Sequence, residues 1–188
     1  KLRGPETDQK TKQMRPVVDY PENFRHVLDG PYGAAFINYL KNRGFHDADD
    51  LAANYDLLYC LVGDFAWRLI FPVVENKHLI GWTGRDIRKI TTLRYRASEG
   101  LGKDVLLVLD DLRNTVIVVE GPVDALKIDY YGQPFGISGV ATMGTAVTDK
   151  QKRRLSTIAR SLKTYVVFDS TAVAEGLSLA EEIGARWL

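Results

Sequence analysis

Three carboxylates in the second half of this 188-residue sequence are placed for hard-metal chemistry. The run Thr115–Val119 (TVIVV) leads straight into Glu120-Gly121-Pro122, and Thr164–Phe168 (TYVVF) leads into Asp169-Ser170-Thr171. Both runs are short, apolar and rich in β-branched residues, the pattern of strands buried on both faces of a parallel sheet. In such a sheet the working groups gather at the carboxyl ends of the strands, where each run here ends in an acid. Asp124 follows Glu120 by four residues, in the first turn of a helix that Pro122 is well placed to open, so it can point back to the same crevice. Three oxygen donors with no His or Cys among them suit Mg²⁺, or Mn²⁺ in its place. A divalent ion on a carboxylate edge beside a basic surface is a layout for phosphoryl or nucleotidyl transfer. Single acids at such positions also cap the helices that follow them. Two on successive strands, with Asp124 added, favour the chemistry.

A basic surface is available. Net charge is only +1, but the cations are uneven: Arg85–Arg96 (RDIRKITTLRYR) holds five Lys/Arg and one acid, and Lys150–Lys163 (KQKRRLSTIARSLK) holds six and none. Two such clusters in a balanced chain read as a polyanion footprint. Tyr95 and Trp82 could stack on bases, although aromatics in strands more often serve the core.

Other chemistries lack their residues. Cys60 is the one cysteine, so neither a disulfide framework nor a cysteine-built zinc site exists within the chain, and a reducing, cytoplasmic setting is expected. His26, His46 and His78 are scattered, with no HExxH, and no GxxxxGK phosphate loop is present. Gly136–Gly144 does not spell a dinucleotide fingerprint. No apolar run approaches the roughly 18 residues of a membrane helix, so no membrane partner is expected.

The elements that must hold these residues can be read in order. Residues 1–32 are polar and proline-punctuated, an expected linker or extended arm. From Gly33 the spacing of Ala35, Phe36, Tyr39 and Leu40 predicts a helix stopped at Gly44, followed by a short one over Ala48–Tyr55. Arg68–Val74 and His78–Thr83, separated by Glu75-Asn76-Lys77, predict a hairpin, with Pro72 marking an edge strand or a bulge. A strand over Val105–Leu109 is expected next. Then Thr115–Val119, Pro122–Tyr131, a short strand near Phe135–Ser138, a basic helix from Thr148 to Ser161, Thr164–Phe168 and Ala172–Ile183 alternate strand with helix. That order predicts an α/β domain with a central parallel sheet over residues 113–188, preceded by a smaller mixed α/β basic subdomain over 33–112.

At this point the motifs resemble a known family. Val118–Leu126 (VVEGPVDAL) resembles the EGxxD motif of the TOPRIM domain, shared by bacterial and phage primases, type IA and II topoisomerases and some nucleases. Met143–Thr148 (MGTAVT) is similar to the LGTALT segment of the primase branch. Upstream, Leu69–Val73 and Ile80–Arg85 resemble the RIIFPI…VIGFGGR segment of DnaG-type primases, and Tyr39–Gly44 resembles the YLxxRG helix before it. The ordered set covers roughly Gly33 to Leu188.

What the resemblance implies is a primase body lacking the zinc-binding domain. Glu120 would be the acid–base residue, Asp169 a metal ligand, and Asp124 a ligand or its support. Arg43, Arg85, Arg94 and Arg96 would lie along a groove for single-stranded DNA, with Lys127 a further nucleic-acid contact. Ribonucleoside triphosphates would be substrates and a replicative helicase, fused or separate, a partner, in a bacterial cell or a phage-infected host. Thr171 departs from the family's Asp-x-Asp pattern, removes one negative charge from the expected site, and could act only as a weak ligand. The chain begins at Lys1 and stops at Arg186-Trp187-Leu188, so a fragment is expected, with the family's third acidic motif beyond its end. Two other readings stand beside primer synthesis: a catalytically degenerate TOPRIM module that binds nucleic acid, and a TOPRIM nuclease.

Overall fold

A computed structural model describes residues 15–88 and 90–188; most of the expected arm's first half, residues 1–14, lies outside it, as does Lys89 of the first basic cluster. The chain builds two five-stranded sheets from β1 Arg25–His26, β2 Leu58–Cys60, β3 Arg68–Glu75, β4 His78–Asp86, β5 Tyr95–Ala97, β6 Leu107–Val108, β7 Thr115–Val119, β8 Ile137–Ala141, β9 Lys163–Val166 and β10 Arg186–Trp187. The helices are α1 Gly33–Asn42, α2 Ala48–Asn54, α3 Pro122–Gly132, α4 Asp149–Ser161 and α5 Val173–Ile183.

The first sheet runs β1-β2-β3-β4-β5, antiparallel throughout. Asn76 and Lys77, both with positive φ, form the tight turn of the β3–β4 hairpin. Pro72 sits in a strand with neighbours on both sides of the sheet, yet β2 pairs only Arg68 to Ile70 of β3 and the register shifts between Val73 and Val74. Proline therefore falls where β3 has outrun β2 and has no ladder bond to lose.

The second sheet runs β10-β9-β7-β8-β6. β7 lies parallel between β9 and β8, β10 is parallel to β9, and only β6 is antiparallel. The predicted strand Val105–Leu109 is reduced to Leu107–Val108, and it joins this second sheet as an edge against β8 rather than the first. Helix α4 starts at a capping box in which the Thr148 hydroxyl and Gln151 side chain exchange bonds with each other's backbone amides. Gln151 is fully buried, and its amide donates to the carbonyls of Val105 and Thr142.

Helix α3 covers one face of the second sheet and α4 and α5 contribute to the core on the other. The contact between α3 and β8 is made backbone to backbone: a Cβ on Gly139 would fall 2.1 Å from the Ala125 carbonyl oxygen. One apolar core then continues from Val119, Val123 and Leu126 through Phe36, Leu40 and Phe45 to Leu69 and Phe71 of the first sheet. The two sheets are thus held as one body, with α1 and α3 between them. Among the described residues no helix is long and apolar enough to cross a membrane.

Candidate active site

The two central acids arrive side by side because their strands do. β7 pairs with β9 up to Val118 opposite Val166, and the Val167 amide continues the ladder onto the Val118 carbonyl at 2.8 Å. Glu120 and Asp169 follow at the same carboxyl-end rim. Glu120 reaches across it: its Oε1 accepts the Asp169 amide at 2.8 Å. On the other side of β7 the 142–144 loop closes in, with the Thr142 amide on the Val119 carbonyl and the Gly144 amide on that of Glu120. The Met143–Thr148 segment quoted above therefore borders the same rim.

Asp124 comes from the first turn of α3, opened by Pro122 as expected. Glu120, Asp124 and Asp169 together line one cleft of about 240 Å³, with Lys127, Ile128, Val119, Val167 and Phe168 as its other walls. Among the described residues no three His, Cys, Asp or Glu side chains stand close enough to form a ready-made metal cage. The donor set is nonetheless the one Mg²⁺ uses, since that ion keeps waters and takes one or two carboxylates plus substrate phosphates. Burial at the cleft mouth pushes the Asp124 carboxyl above its ordinary value; Arg43 opposes this and the nearby Asp169 reinforces it. Thr171 is exposed in the turn before α5 and is not a wall of this cleft.

Arg43 links this rim to a larger basic cleft. It is the last residue of the helix stop, where Gly44 at φ +80° turns the chain away. Its guanidinium lies 3.8 Å from Asp124 Oδ1, and its carbonyl accepts from Lys127 Nζ at 3.1 Å. Arg43, Arg85 and Arg94 then wall a cleft of about 670 Å³ with Asp86, Ile90, Thr91 and Thr92. Asp86 does not cancel that charge freely. Burial pushes its carboxyl up, but hydrogen bonds from the Arg88 side chain and amide outweigh this and hold it below the usual range.

The remaining expected contacts separate by strand alternation, since successive side chains of a strand face opposite ways. Tyr95 pairs with Arg85 and faces α3 with it; Arg96 pairs with Gly84 on the other face and binds Asp64. Arg94 precedes β5 and is not bound by its alternation; it joins Arg43 and Arg85 in the cleft, and Arg96 does not. Trp82 shares that far face, edge-on to Phe24 and Phe65 in a small aromatic core. In the second basic cluster, Lys150, Lys152 and Arg154 pair with Asp104, Glu182 and Glu75, so half of it ties elements together rather than presenting a free footprint. Sequence reading missed Thr91, Thr92 and Ile90 as walls of the arginine cleft. It also missed which way Tyr95 points. The alternation of Tyr95 with Arg96 carried that signal once β5 was known to be a strand.

No family model matches the chain, and no curated protein matches it by sequence. Solved structures match its fold. A DnaG primase catalytic domain bound to single-stranded DNA superposes with a TM-score of 0.64 at 18% identity, over 85% of this chain and 62% of that one. The chain has the DnaG-type primase fold. The RNA polymerase domain of Mycobacterium tuberculosis primase DnaG agrees, with a TM-score of 0.63 at 17% identity over 82% of this chain and 66% of that one. So does the primase fragment of the bacteriophage T7 primase-helicase protein, at 0.59 and 16%, over 97% of this chain and 68% of that one. The chain therefore spans about two thirds of the length of these primase structures. Its TOPRIM-type sheet is the second, mostly parallel one, and the antiparallel sheet precedes it in the chain as the motif order implied.

Proposed function

We propose that this chain is the catalytic part of a DNA primase, joining ribonucleotides on a single-stranded DNA template by metal-dependent nucleotidyl transfer. The observation that carries the reading is the continuity at Arg43: a three-carboxylate rim and a three-arginine cleft meet at one guanidinium. Carboxylates that would repel a nucleic-acid backbone lie beside cations that hold one, the arrangement needed to bring a 3′-hydroxyl and a nucleoside triphosphate together.

In this reading Glu120 and Asp169 hold Mg²⁺ or Mn²⁺, with Asp124 as third ligand or support. The bound ion would orient the phosphates and stabilise charge on the attacking and leaving oxygens as pyrophosphate departs. Arg43, Arg85 and Arg94 bind template or triphosphate, and Thr91 and Thr92 add hydroxyl donors to the same cleft. Glu120 serves as the acid–base group for the attacking hydroxyl. A replicative helicase is the expected partner by analogy with the primase-helicase neighbour. The departure at Thr171 favours a second reading, a TOPRIM fold kept only to bind nucleic acid.

One assay separates them. Labelled ribonucleotides, single-stranded template and Mn²⁺ should give short RNA products with this chain and none with Glu120→Gln. Template binding without product, indifferent to the ion, would support the scaffold. Shortening of the template without added nucleotides would support a nuclease.

A further inference from the structure

The junction between the two sheets contains a polar cluster that the reaction does not by itself require. Tyr95 carries its ring beneath Arg85, whose Cζ lies 4.8 Å from the ring centroid, within cation–π range. Its hydroxyl ends beside the turn that joins Glu120 to Asp124: a Cβ on Gly121 would fall 3.6 Å from Tyr95 Oη and 3.0 Å from Asp124 Oδ2. Gly121 is thus a bare stretch of backbone with a phenol and a carboxylate drawn in against it. Two neighbours of this contact are buried polar atoms without partners among the described residues, the Tyr39 hydroxyl and Arg85 Nε. The Arg85 side chain also walls the cleft it shares with Arg43 and Arg94, where an entering phosphate would meet its guanidinium.

We propose that Tyr95 is a positioning residue for the acidic rim: its hydroxyl, seated against Gly121, fixes the Glu120–Asp124 turn, and its ring beneath Arg85 couples that turn to anion binding in the arginine cleft. The inference rests on reading the rim as a metal site. The chemistry of the contact suits the role. Burial pushes the Tyr95 phenol up to about 12, so the hydroxyl stays neutral near pH 7. A neutral phenol holds the turn without competing for the cation that Asp124 and its neighbours would share. The coupling needs no long path: phosphate meets Arg85, Arg85 rests on the Tyr95 ring, and Tyr95 touches the turn that aims two of the three carboxylates.

The test is Mn²⁺ binding followed by electron paramagnetic resonance, with and without a twelve-residue oligothymidylate. It is run on the wild-type chain, Tyr95→Phe and Tyr95→Leu, with oligonucleotide affinity and thermal melting measured in parallel. Tyr95→Phe keeps the ring and loses the hydroxyl; it should bind Mn²⁺ about tenfold to a hundredfold more weakly, as supporting-shell changes do, with melting and oligonucleotide affinity unchanged. Wild type should bind Mn²⁺ more tightly when the oligonucleotide is present, and Tyr95→Leu should lose that dependence. Wild-type Mn²⁺ affinity in Tyr95→Phe overturns the inference while leaving the metal site standing. A loss of affinity matched by a drop in melting temperature also overturns it, since the hydroxyl would then serve only the fold. Failure of the wild-type chain itself to bind Mn²⁺ removes the metal reading and this inference together.

Discussion

Gly121 is the residue at which the acidic rim leaves least room. Its φ is an ordinary −110°, so the constraint is space, not backbone conformation. A methyl there would press on Asp124 Oδ2 at 3.0 Å, a flexible side-chain end rather than backbone. Gly121→Ala should therefore fold with little loss of stability but displace the carboxylate. A misplacement near 1 Å costs catalysis about a hundredfold. The check is primer synthesis beside thermal melting; normal activity would show that Asp124 does not need its present position. At this scale much was legible in the sequence. Glu120 and Asp169 could be named from where their runs end and Asp124 from the helix turn that follows Pro122, and the three line one cleft. The hydrogen bond from the Asp169 amide to Glu120 was not legible, because it depends on the relative heights of β7 and β9 at their ends. Nor was the separation of Arg96 from Arg43 and Arg85. A run of cations reveals charge, and only the pleat decides which of them share a face.

Elements are tied across the molecule by one buried polar network. Asp129 of α3 is 1% exposed and accepts from the Tyr55 hydroxyl at the end of α2, from Arg113 Nη1 and from the Gly139 amide of β8. Arg113 in turn bonds Asp110 and Ser138. Every oxygen of Asp129 is engaged, so its charge is compensated. Asp129→Ala leaves the Arg113 guanidinium with a lost partner in a largely buried place and should cost about 3–5 kcal/mol, measurable by urea unfolding. A cost under about 1 kcal/mol would mean that the network is dispensable. The elements themselves were read well where periodicity was strong: α3, α4 and α5 begin and end within a residue or two of their predicted bounds. β1, β2 and β5, of two or three residues each, carried too little alternation to be seen. They exist because longer neighbours offer ladders to join. Val105–Leu109 looked like a five-residue strand, but only Leu107 and Val108 pair with β8, while the Val105 carbonyl is taken by Gln151.

At the scale of the whole molecule, charge does two separate jobs. On the side of Arg15, Glu75, Asp104, Lys150 and Arg154 it joins the segment before β1, the β3–β4 hairpin, the loop before β6, and α4. Burial pushes the Asp104 carboxyl up, but hydrogen bonds from Lys150 and Arg15 outweigh this and hold it below the usual carboxylate range. A carboxyl depressed in the folded state stabilises above its unfolded pKa and loses that contribution as pH falls through its folded one. Asp104→Asn should therefore lower the melting temperature at pH 7 by a few degrees, about 1 kcal/mol, and the difference should vanish in strong acid. A difference that persists below pH 2 would assign the effect to packing. On the cleft side the charge is left for a ligand. Replacing Arg43, Arg85 and Arg94 by Ala should flatten the salt dependence of single-strand binding by about two units of slope, at roughly 0.7 per phosphate contact. Arg96→Ala, on the far face, should leave that slope unchanged; equal effects would contradict the division of the two faces. The fold class and the order of its parts were legible here because the strand–helix alternation is local. That half of the Lys150–Lys163 cations would be used up in ion pairs was not, because their partners lie in β3, the Gly102–Val105 loop and α5.

The proposed reaction rests on a divalent ion held at the meeting point of Glu120, Asp124 and Asp169. Crystals soaked in manganese chloride with a ribonucleoside triphosphate, and recorded at the manganese absorption edge, show that ion by its anomalous signal. The strongest peak should lie within coordination distance of the Glu120 and Asp169 carboxylates, with the triphosphate reaching from it toward Arg43 and Arg85. Nucleotide ordered among the arginines with no peak at the carboxylates would contradict the account.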